Sequence, residues 1–268
     1  MCGAGALHFK VGNGSASCPV VSDLLIMKPF ILAHRGASGY APENTMKAFA
    51  LAETLGADGV ELDVFLTTDG HVIITHDEEL FRLTGQKLIT QKQNQKTLKT
   101  LDFGEGEKIP TLAYFFDAFG KKFSVINVEI KSTGLRTNGI EQAVLKLIKD
   151  FKMIEQVYIS SFNPLHLIRF KKMAPEIKRG YLIWPKNRTT QQNFWIARAN
   201  PQTMNLPLFW LKQSHLEQFG KLERRTWLWD VDNKDSIKPE LTPWLSKSLG
   251  AIITNYPDRL RALLHSQN

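Results

Sequence analysis

Short β-branched runs alternate with stretches of helical spacing along most of the chain. The runs that read as strands are Phe30–Ala33, Gly59–Phe65, Val125–Ile130, Val157–Ser160, Gly180–Ile183, Thr203–Leu206, Trp227–Val231 and Ala251–Thr254. Between them, Ala48, Leu51, Ala52 and Leu55 recur on one helical face and stop at Gly56, a residue type that suits the left-handed turn ending a helix. Ile140, Ala143, Val144, Leu147, Ile148 and Phe151 keep the same helical spacing. Asn163-Pro164 sets a capping residue before a proline at the first helical position, and Ser214 with Glu217 fits a capping box. Strands alternating with helices over 268 residues predict one α/β domain, a TIM (β/α)8 barrel, with an open doubly wound sheet as the alternative.

One run breaks the alternation. Val72–Thr75 follows Gly59–Phe65 too closely for a crossover helix, which takes about a dozen residues. Asp69-Gly70 lies between them, a strong signal for a two-residue hairpin turn. The run is therefore expected to return antiparallel inside the second β-to-α loop. Such a turn pairs Thr68 with His71, Leu66 with Ile73, Val64 with Thr75 and Asp63 with His76, which sets His76 beside Asp63. Residues 78–110 have no clear period and read as a small insertion over the barrel mouth, too short for a domain of their own. Residues 1–26 are rich in Gly, Ala and Ser and lack the basic start and continuous apolar core of a secretory signal. They are expected to be a disordered leader or a mis-start ahead of Met27, which leaves 27–268 as the barrel.

Composition narrows the function. The formal charge of +8 comes from short, dispersed clusters such as Lys121-Lys122 and Arg224-Arg225, a pattern of solubility more than of a basic binding stripe. No nucleic-acid module accompanies it, so no nucleic-acid partner is expected. No apolar run approaches the ~18 residues of a membrane span. Cys2 and Cys18 both fall near the start, which is neither a disulfide framework nor a zinc pattern and fits a reducing, cytoplasmic setting.

In a parallel barrel the C-terminal ends of the strands converge on one mouth. The first ends in His34-Arg35-Gly36, the second carries Glu61-Leu62-Asp63 with His76-Asp77 on its hairpin, and the third carries Glu129-Ile130-Lys131. Glu61 and Asp63 lie two apart and so share a face. With Glu129 they offer oxygen only, which suits one hard divalent cation, Mg²⁺ or Ca²⁺, over zinc. Pairing of these acids with Arg35 and Lys131 is the other reading. Imidazole titrates near neutral pH, so two histidines beside a carboxylate cluster point to acid/base chemistry. His8, His71, His166, His215 and His265 fall on turns, helices or termini and are given no role. Arg35 can grip paired phosphate oxygens, and Lys131 adds a point charge.

These residues, with Pro42-Glu43-Asn44-Thr45, Thr68-Asp69-Gly70, Ile109-Pro110-Thr111-Leu112, Ser160-Ser161-Phe162, Trp229 and Ile253-Thr254-Asn255-Tyr256-Pro257, resemble the glycerophosphodiester phosphodiesterase family over about residues 30–260. The resemblance implies a TIM barrel that releases sn-glycerol 3-phosphate and an alcohol. It implies His34 and His76 as acid and base, a divalent ion on Glu61, Asp63 and Glu129, and phosphate contacts from Arg35 and Lys131. Glu43 is placed near the site, and Phe162 and Trp229 flank the substrate. The resemblance also suggests attack by the glycerol 2-hydroxyl through a cyclic phosphate, with direct water attack as the alternative. Two departures stand out: Asn255 where the family commonly has Asp, and Trp229-Asp230-Val231-Asp232 where it often has Trp-Thr-Val-Asn. Neither is expected to touch the acid/base or metal residues; both bear on the leaving group. The partner is a small molecule, and the chain is expected to be a monomer or homodimer. A lysophospholipid or sphingomyelin-type diester is a rival substrate that a long apolar groove would favour. A catalytically silent phosphate-binding barrel is the rival of another class.

Overall fold

The computed structural model describes residues 28–131, 134, 137–185, 189–247 and 249–266, so the reading of residues 1–26 lies outside the described residues. The strands are β1 (Phe30–His34), β2 (Gly59–Leu66), β3 (Val72–Ile74), β4 (Val125–Ile130), β5 (Val157–Ser161), β6 (Lys178–Leu182), β7 (Thr203–Pro207), β8 (Arg225–Trp229), a small ribbon of β9 (Asp232–Asn233) and β10 (Ser236–Ile237), and β11 (Leu249–Thr254). The helices are α1 (Met46–Thr54), α2 (Phe81–Thr84), α3 (Gln95–Thr100), α4 (Leu112–Phe119), α5 (Ile140–Asp150), α6 (Pro164–Met173), α7 (Thr189–Ala199), α8 (Gln213–Lys221) and α9 (Pro257–Ser266). The main sheet runs β1-β11-β8-β7-β6-β5-β4-β2-β3, and β1 also pairs with β2. Without the antiparallel β3, its strands pair in parallel all round and close. This is the expected barrel; the open sheet is excluded because β1 and β2 join.

β2 and β4 are buried on both faces, which is why they read as near-continuous apolar runs. Their outward residues pack with Leu112, Phe115, Val144, Ile148, Leu167 and Phe170 in the large core between strands and helices. A second cluster of Leu32, Val125, Trp227, Ala251 and Ile253 fills the barrel interior. Period two then lifts the polar inward residues into the layer above it, at the C-terminal mouth.

The caps bear on the site because the loops before them carry it. Thr45 accepts a hydrogen bond from the Ala48 N–H and starts α1 directly after Glu43 and Asn44. Asn163 caps α6 ahead of Pro164, as expected. Ser214 does not cap α8: the N-cap is Lys212, with no side-chain cap, so the capping-box reading is corrected. β8 ends at Trp229, two residues earlier than the run Trp227–Val231 suggests, because Asp230 turns into the left-handed region at φ 56°.

The hairpin forms, with a different register. Val64 pairs with Ile74, Phe65 with Ile73 and Leu66 with Val72. The Thr67 N–H donates to the His71 carbonyl at 2.9 Å, and Gly70 takes φ 80°. The turn therefore holds three residues, Thr68-Asp69-Gly70, with glycine at the left-handed position. Each predicted pair is displaced by one residue, and the Thr75 N–H, not His76, meets the Asp63 carbonyl at 3.0 Å. Residues 78–110 form short helical turns, and Leu80, Leu98, Phe103 and Ile109 pack with Phe65 and Ile73 in a small core of their own. No helix among the described residues is long and apolar enough to cross a membrane.

Candidate active site

Arg35, just past the end of β1, sits at φ 56° and Gly36 at φ 79°, a tight left-handed turn. A Cβ on Gly36 would lie 2.7 Å from the backbone of Ala48, so only glycine lets this turn press against α1. The turn directs His34 and Arg35 into a cavity of roughly 220 Å³, which Glu61, His76, Glu129, Lys131, Phe162 and Trp229 also line. Asp63 and Glu43 sit behind this lining and hold it.

The three acids converge. Glu61, Asp63 and Glu129 are buried, and one oxygen of each lies within 4.8 Å of the others. They are not equivalent. Lys131 Nζ is 3.0 Å from Asp63 and 2.7 Å from Glu129. Arg35 Nε is 3.4 Å from Asp63, and Asn44 Nδ2 donates to Asp63 at 3.0 Å. Burial alone would raise Asp63, but Lys131 and Arg35 outweigh it and hold the carboxyl well below the usual range. Among the described residues Glu61 accepts the Arg35 backbone N–H at 3.2 Å and has no Lys or Arg side chain in direct ion-pair contact; the neutral imidazole of His34 lies 3.9 Å away at Nε2. Burial, then Asp63 and Glu129, raise it well above an ordinary carboxyl. Glu129 is pushed to about 7, mainly by burial. A buried acid cluster with one member this poorly compensated fits a divalent cation, and the all-oxygen donor set suits a hard one. The alternative, that Arg35 and Lys131 neutralise the acids, accounts for Asp63 and Glu129 but leaves Glu61.

The histidines reach the cavity by different routes. His34 ends β1, and its Nδ1 lies 2.7 Å from Asn255 Oδ1. An amide oxygen only accepts, so Nδ1 carries the proton and Nε2 faces Glu61 with its lone pair. Asn255 is itself anchored: its N–H donates to Asp232 at 2.7 Å, and Thr254 Oγ1 donates to the same carboxyl at 2.6 Å. Burial raises the Asp232 carboxyl to about 6. Both departures from the family pattern therefore bear on His34, Asn255 directly and Asp232 through it, which corrects the expectation that neither touches the acid/base pair. His76 leaves β3 on a bend beyond Ile74 and not as a ladder partner of Asp63. Its Nδ1 is 2.7 Å from Asp77 Oδ1. Burial depresses both imidazoles, His34 to about 4.

Arg82 was not legible in the sequence. It lies on α2 in the aperiodic segment, yet it donates to Asp77 at 2.6 Å through Nε and to both oxygens of Glu43 at 2.9 and 2.6 Å. Glu43 in turn accepts from Arg35 at 2.8 Å. The carboxylate holding His76 is thus tied to the guanidinium beside Asp63. No spacing in residues 78–110 signals this; only the fold back onto β3 brings Arg82 there. Phe162 and Trp229 stand edge to face, 6.0 Å between centroids, on the opposite wall.

The closed parallel barrel thus brings an acid cluster and paired imidazoles together at one mouth. The model of the glycerophosphoryl diester phosphodiesterase family matches residues 34–259, and this chain belongs to that family. A glycerophosphodiester phosphodiesterase of Caldanaerobacter subterraneus subsp. tengcongensis is 37% identical over 243 residues, 87% of this chain and 97% of that one. The crystal structure of the Thermotoga maritima glycerophosphodiester phosphodiesterase is 29% identical with a TM-score of 0.71, over 88% of this chain and 98% of that chain. An Oleispira antarctica phosphodiesterase, solved in complex with the product sn-glycerol-3-phosphate, is 25% identical with a TM-score of 0.75, over 88% of this chain and 97% of that chain.

Proposed function

We propose that this chain hydrolyses glycerophosphodiesters to sn-glycerol 3-phosphate and an alcohol, with His34 and His76 as acid and base and a divalent cation on Glu61, Asp63 and Glu129. The observation that carries the reading is the matched pair of oriented imidazoles. Each has its Nδ1 on an oxygen, at 2.7 Å, and both rings line the cavity that Glu61, Glu129 and Lys131 also line.

Glu61, Asp63 and Glu129 would hold the cation, Mg²⁺ or Ca²⁺, which when bound would supply positive charge beside the phosphate. Arg35 and Lys131 bring the same sign of charge to the phosphate, which favours the extra negative charge of a pentacoordinate phosphorus. Lys131 can do so because its present partners, Asp63 and Glu129, are carboxylates that the cation would also neutralise. One imidazole Nε2 takes the proton of the attacking hydroxyl, and the other returns a proton to the departing alkoxide. Asp77 favours the charged form of His76, whereas neutral Asn255 orients His34 without adding charge. Glu43 holds Arg35 in place, and Phe162 with Trp229 borders the substrate.

The glycerol 2-hydroxyl is the proposed nucleophile, giving a cyclic phosphate that water opens. Release of sn-glycerol 3-phosphate from a panel of glycerophosphodiesters, with chelator and then with added Mg²⁺ or Ca²⁺, tests the whole reading. No release under any of these conditions refutes it. A diester without the 2-hydroxyl that turns over normally removes the cyclic route and leaves direct attack by water.

A further inference from the structure

β5 and the start of α6 grip the strand end that carries Glu129 and Lys131. The β4–β5 ladder runs only as far as Glu129 and Ser160. One step on, a side chain takes over: Ser161 Oγ donates to the Ile130 carbonyl at 2.9 Å. The same oxygen accepts the Asn163 N–H at 3.1 Å, so the hydroxyl is engaged in both directions. The peptide joining Ile130 to Lys131 is thereby held from two sides, because its N–H donates to the Val64 carbonyl of β2 at 3.2 Å. Further contacts continue the grip towards α5. Asn163 Nδ2 donates to the Gly134 carbonyl at 3.0 Å. Glu141, in the first turn of α5 and fully buried, accepts from His166 Nδ1 and Arg169 Nη1 of α6, each at 2.8 Å, and from Thr137 Oγ1. Gly139 gives α5 no side-chain cap, so α6 supplies what fixes its start.

We propose that Ser161, backed by Asn163 and Glu141, is a positioning residue that aims Lys131 at the phosphate. The inference rests on the phosphodiesterase reading and names the residues that place one of its cations. Ser161 is buried and lies outside the cavity lining, so it acts through the Lys131 backbone and not on substrate. Location is the first reason. Lys131 stands one residue past the end of β4, where the ladder no longer sets the backbone, and its stem is flexible. The carboxylates it now touches, at 3.0 and 2.7 Å, are also the proposed cation ligands, so they do not by themselves hold the ammonium against the phosphate. The second reason is the chemistry of the outer contact. A buried ion pair is no stronger than apolar packing of the same volume, so what Glu141 adds between α5 and α6 is direction.

The test is a double-mutant cycle with Lys131, run on the fastest glycerophosphodiester of the panel with Mg²⁺ or Ca²⁺ present throughout. Ser161→Ala should lower kcat by about tenfold and leave KM within about twofold. In the Lys131→Met background the same change should cost less than about twofold, since there is no ammonium left to aim. Glu141→Gln, which keeps the shape of the side chain, should lose about threefold, and that loss should vanish in the same background. The cation-induced rise in Tm should survive in Ser161→Ala; its loss would put the effect on Glu129 and overturn the proposal. Equal losses in both backgrounds assign Ser161 to the fold or to Phe162 and overturn it too, as does native kcat in Ser161→Ala. Calorimetric titration with sn-glycerol 3-phosphate repeats the cycle without turnover. This product carries the second phosphate charge that the diester gains only in its transition state, so its affinity should follow kcat. Coupled affinities in a chain that hydrolyses no glycerophosphodiester keep the positioning role and remove the phosphodiesterase reading. Additive affinities with native turnover do the reverse, and neither binding nor turnover removes both.

Discussion

Glu61→Gln should make the cation-free protein more stable and abolish the further stabilisation that an added cation gives. Gln keeps the shape of the side chain and can still accept the Arg35 N–H, but it carries no charge. The Glu61 carboxyl is raised in the folded chain by burial, Asp63 and Glu129. A raised carboxyl favours folding fully only below its unfolded value, about 4.3, and that contribution is lost as pH rises towards the folded value. Each pH unit between the two costs about 1.4 kcal/mol, so the penalty at pH 7 is at most about 4 kcal/mol. A buried polar group left poorly paired sets the lower figure, about 1 kcal/mol. For a domain of this size the corresponding rise in Tm is roughly 3–12 °C under chelator at pH 7, shrinking towards zero near pH 4.5. Addition of Mg²⁺ or Ca²⁺ at about a hundredfold over Kd stabilises the native protein by about 2.7 kcal/mol, and the variant should lose that response. Differential scanning fluorimetry with and without chelator reads both effects. A variant that melts lower than the native chain under chelator, or that keeps the full cation response, refutes the assignment of Glu61 as an uncompensated cation ligand.

Three further outcomes follow from the same geometry. His34→Ala and His76→Ala should each lower kcat by about 10²–10⁴ while the cation-induced rise in Tm survives, and the native pH–rate profile should be bell-shaped; steady-state kinetics and fluorimetry decide this together. Arg82→Gln should lower kcat by about tenfold with little change in KM, since it frees Asp77 and Glu43 without touching substrate, and Arg82→Lys should not restore the bidentate contact to Glu43. Gly36→Ala should cost about 1–3 kcal/mol in denaturant unfolding, because φ 79° and the Ala48 backbone 2.7 Å away both resist a Cβ.

The alternation of strand and helix patterns was enough to reach the closed barrel, because buried parallel strands impose near-continuous apolar runs and helices impose their own period. His34, Glu61, Asp63, Glu129 and Lys131 were legible for a related reason. His34, Glu129 and Lys131 sit at or beside the ends of strands whose direction the βα order fixes, and period two sends Glu61 and Asp63, within β2, to one face. The hairpin was legible as a hairpin and not in its register. Thr68-Asp69-Gly70 satisfies both a two-residue and a three-residue turn, and local sequence does not choose between them. The choice falls to the Thr67–His71 bonds and to the packing of Val72 and Ile74 against the core.

What the sequence by itself determined is therefore the set of chemical groups and the strand ends that carry them. Composition and periodicity act over a few residues, and that range suffices for elements and faces. What the tertiary structure decided is which distant groups meet at the barrel mouth. Asn255 reaches His34 across 221 positions, and Arg82 reaches Glu43 across 39. Phe162, Trp184, Phe209 and Trp229 become one row of rings only because β5 to β8 stand side by side. Each of these contacts is fixed by barrel closure and loop return, geometry that no local pattern encodes.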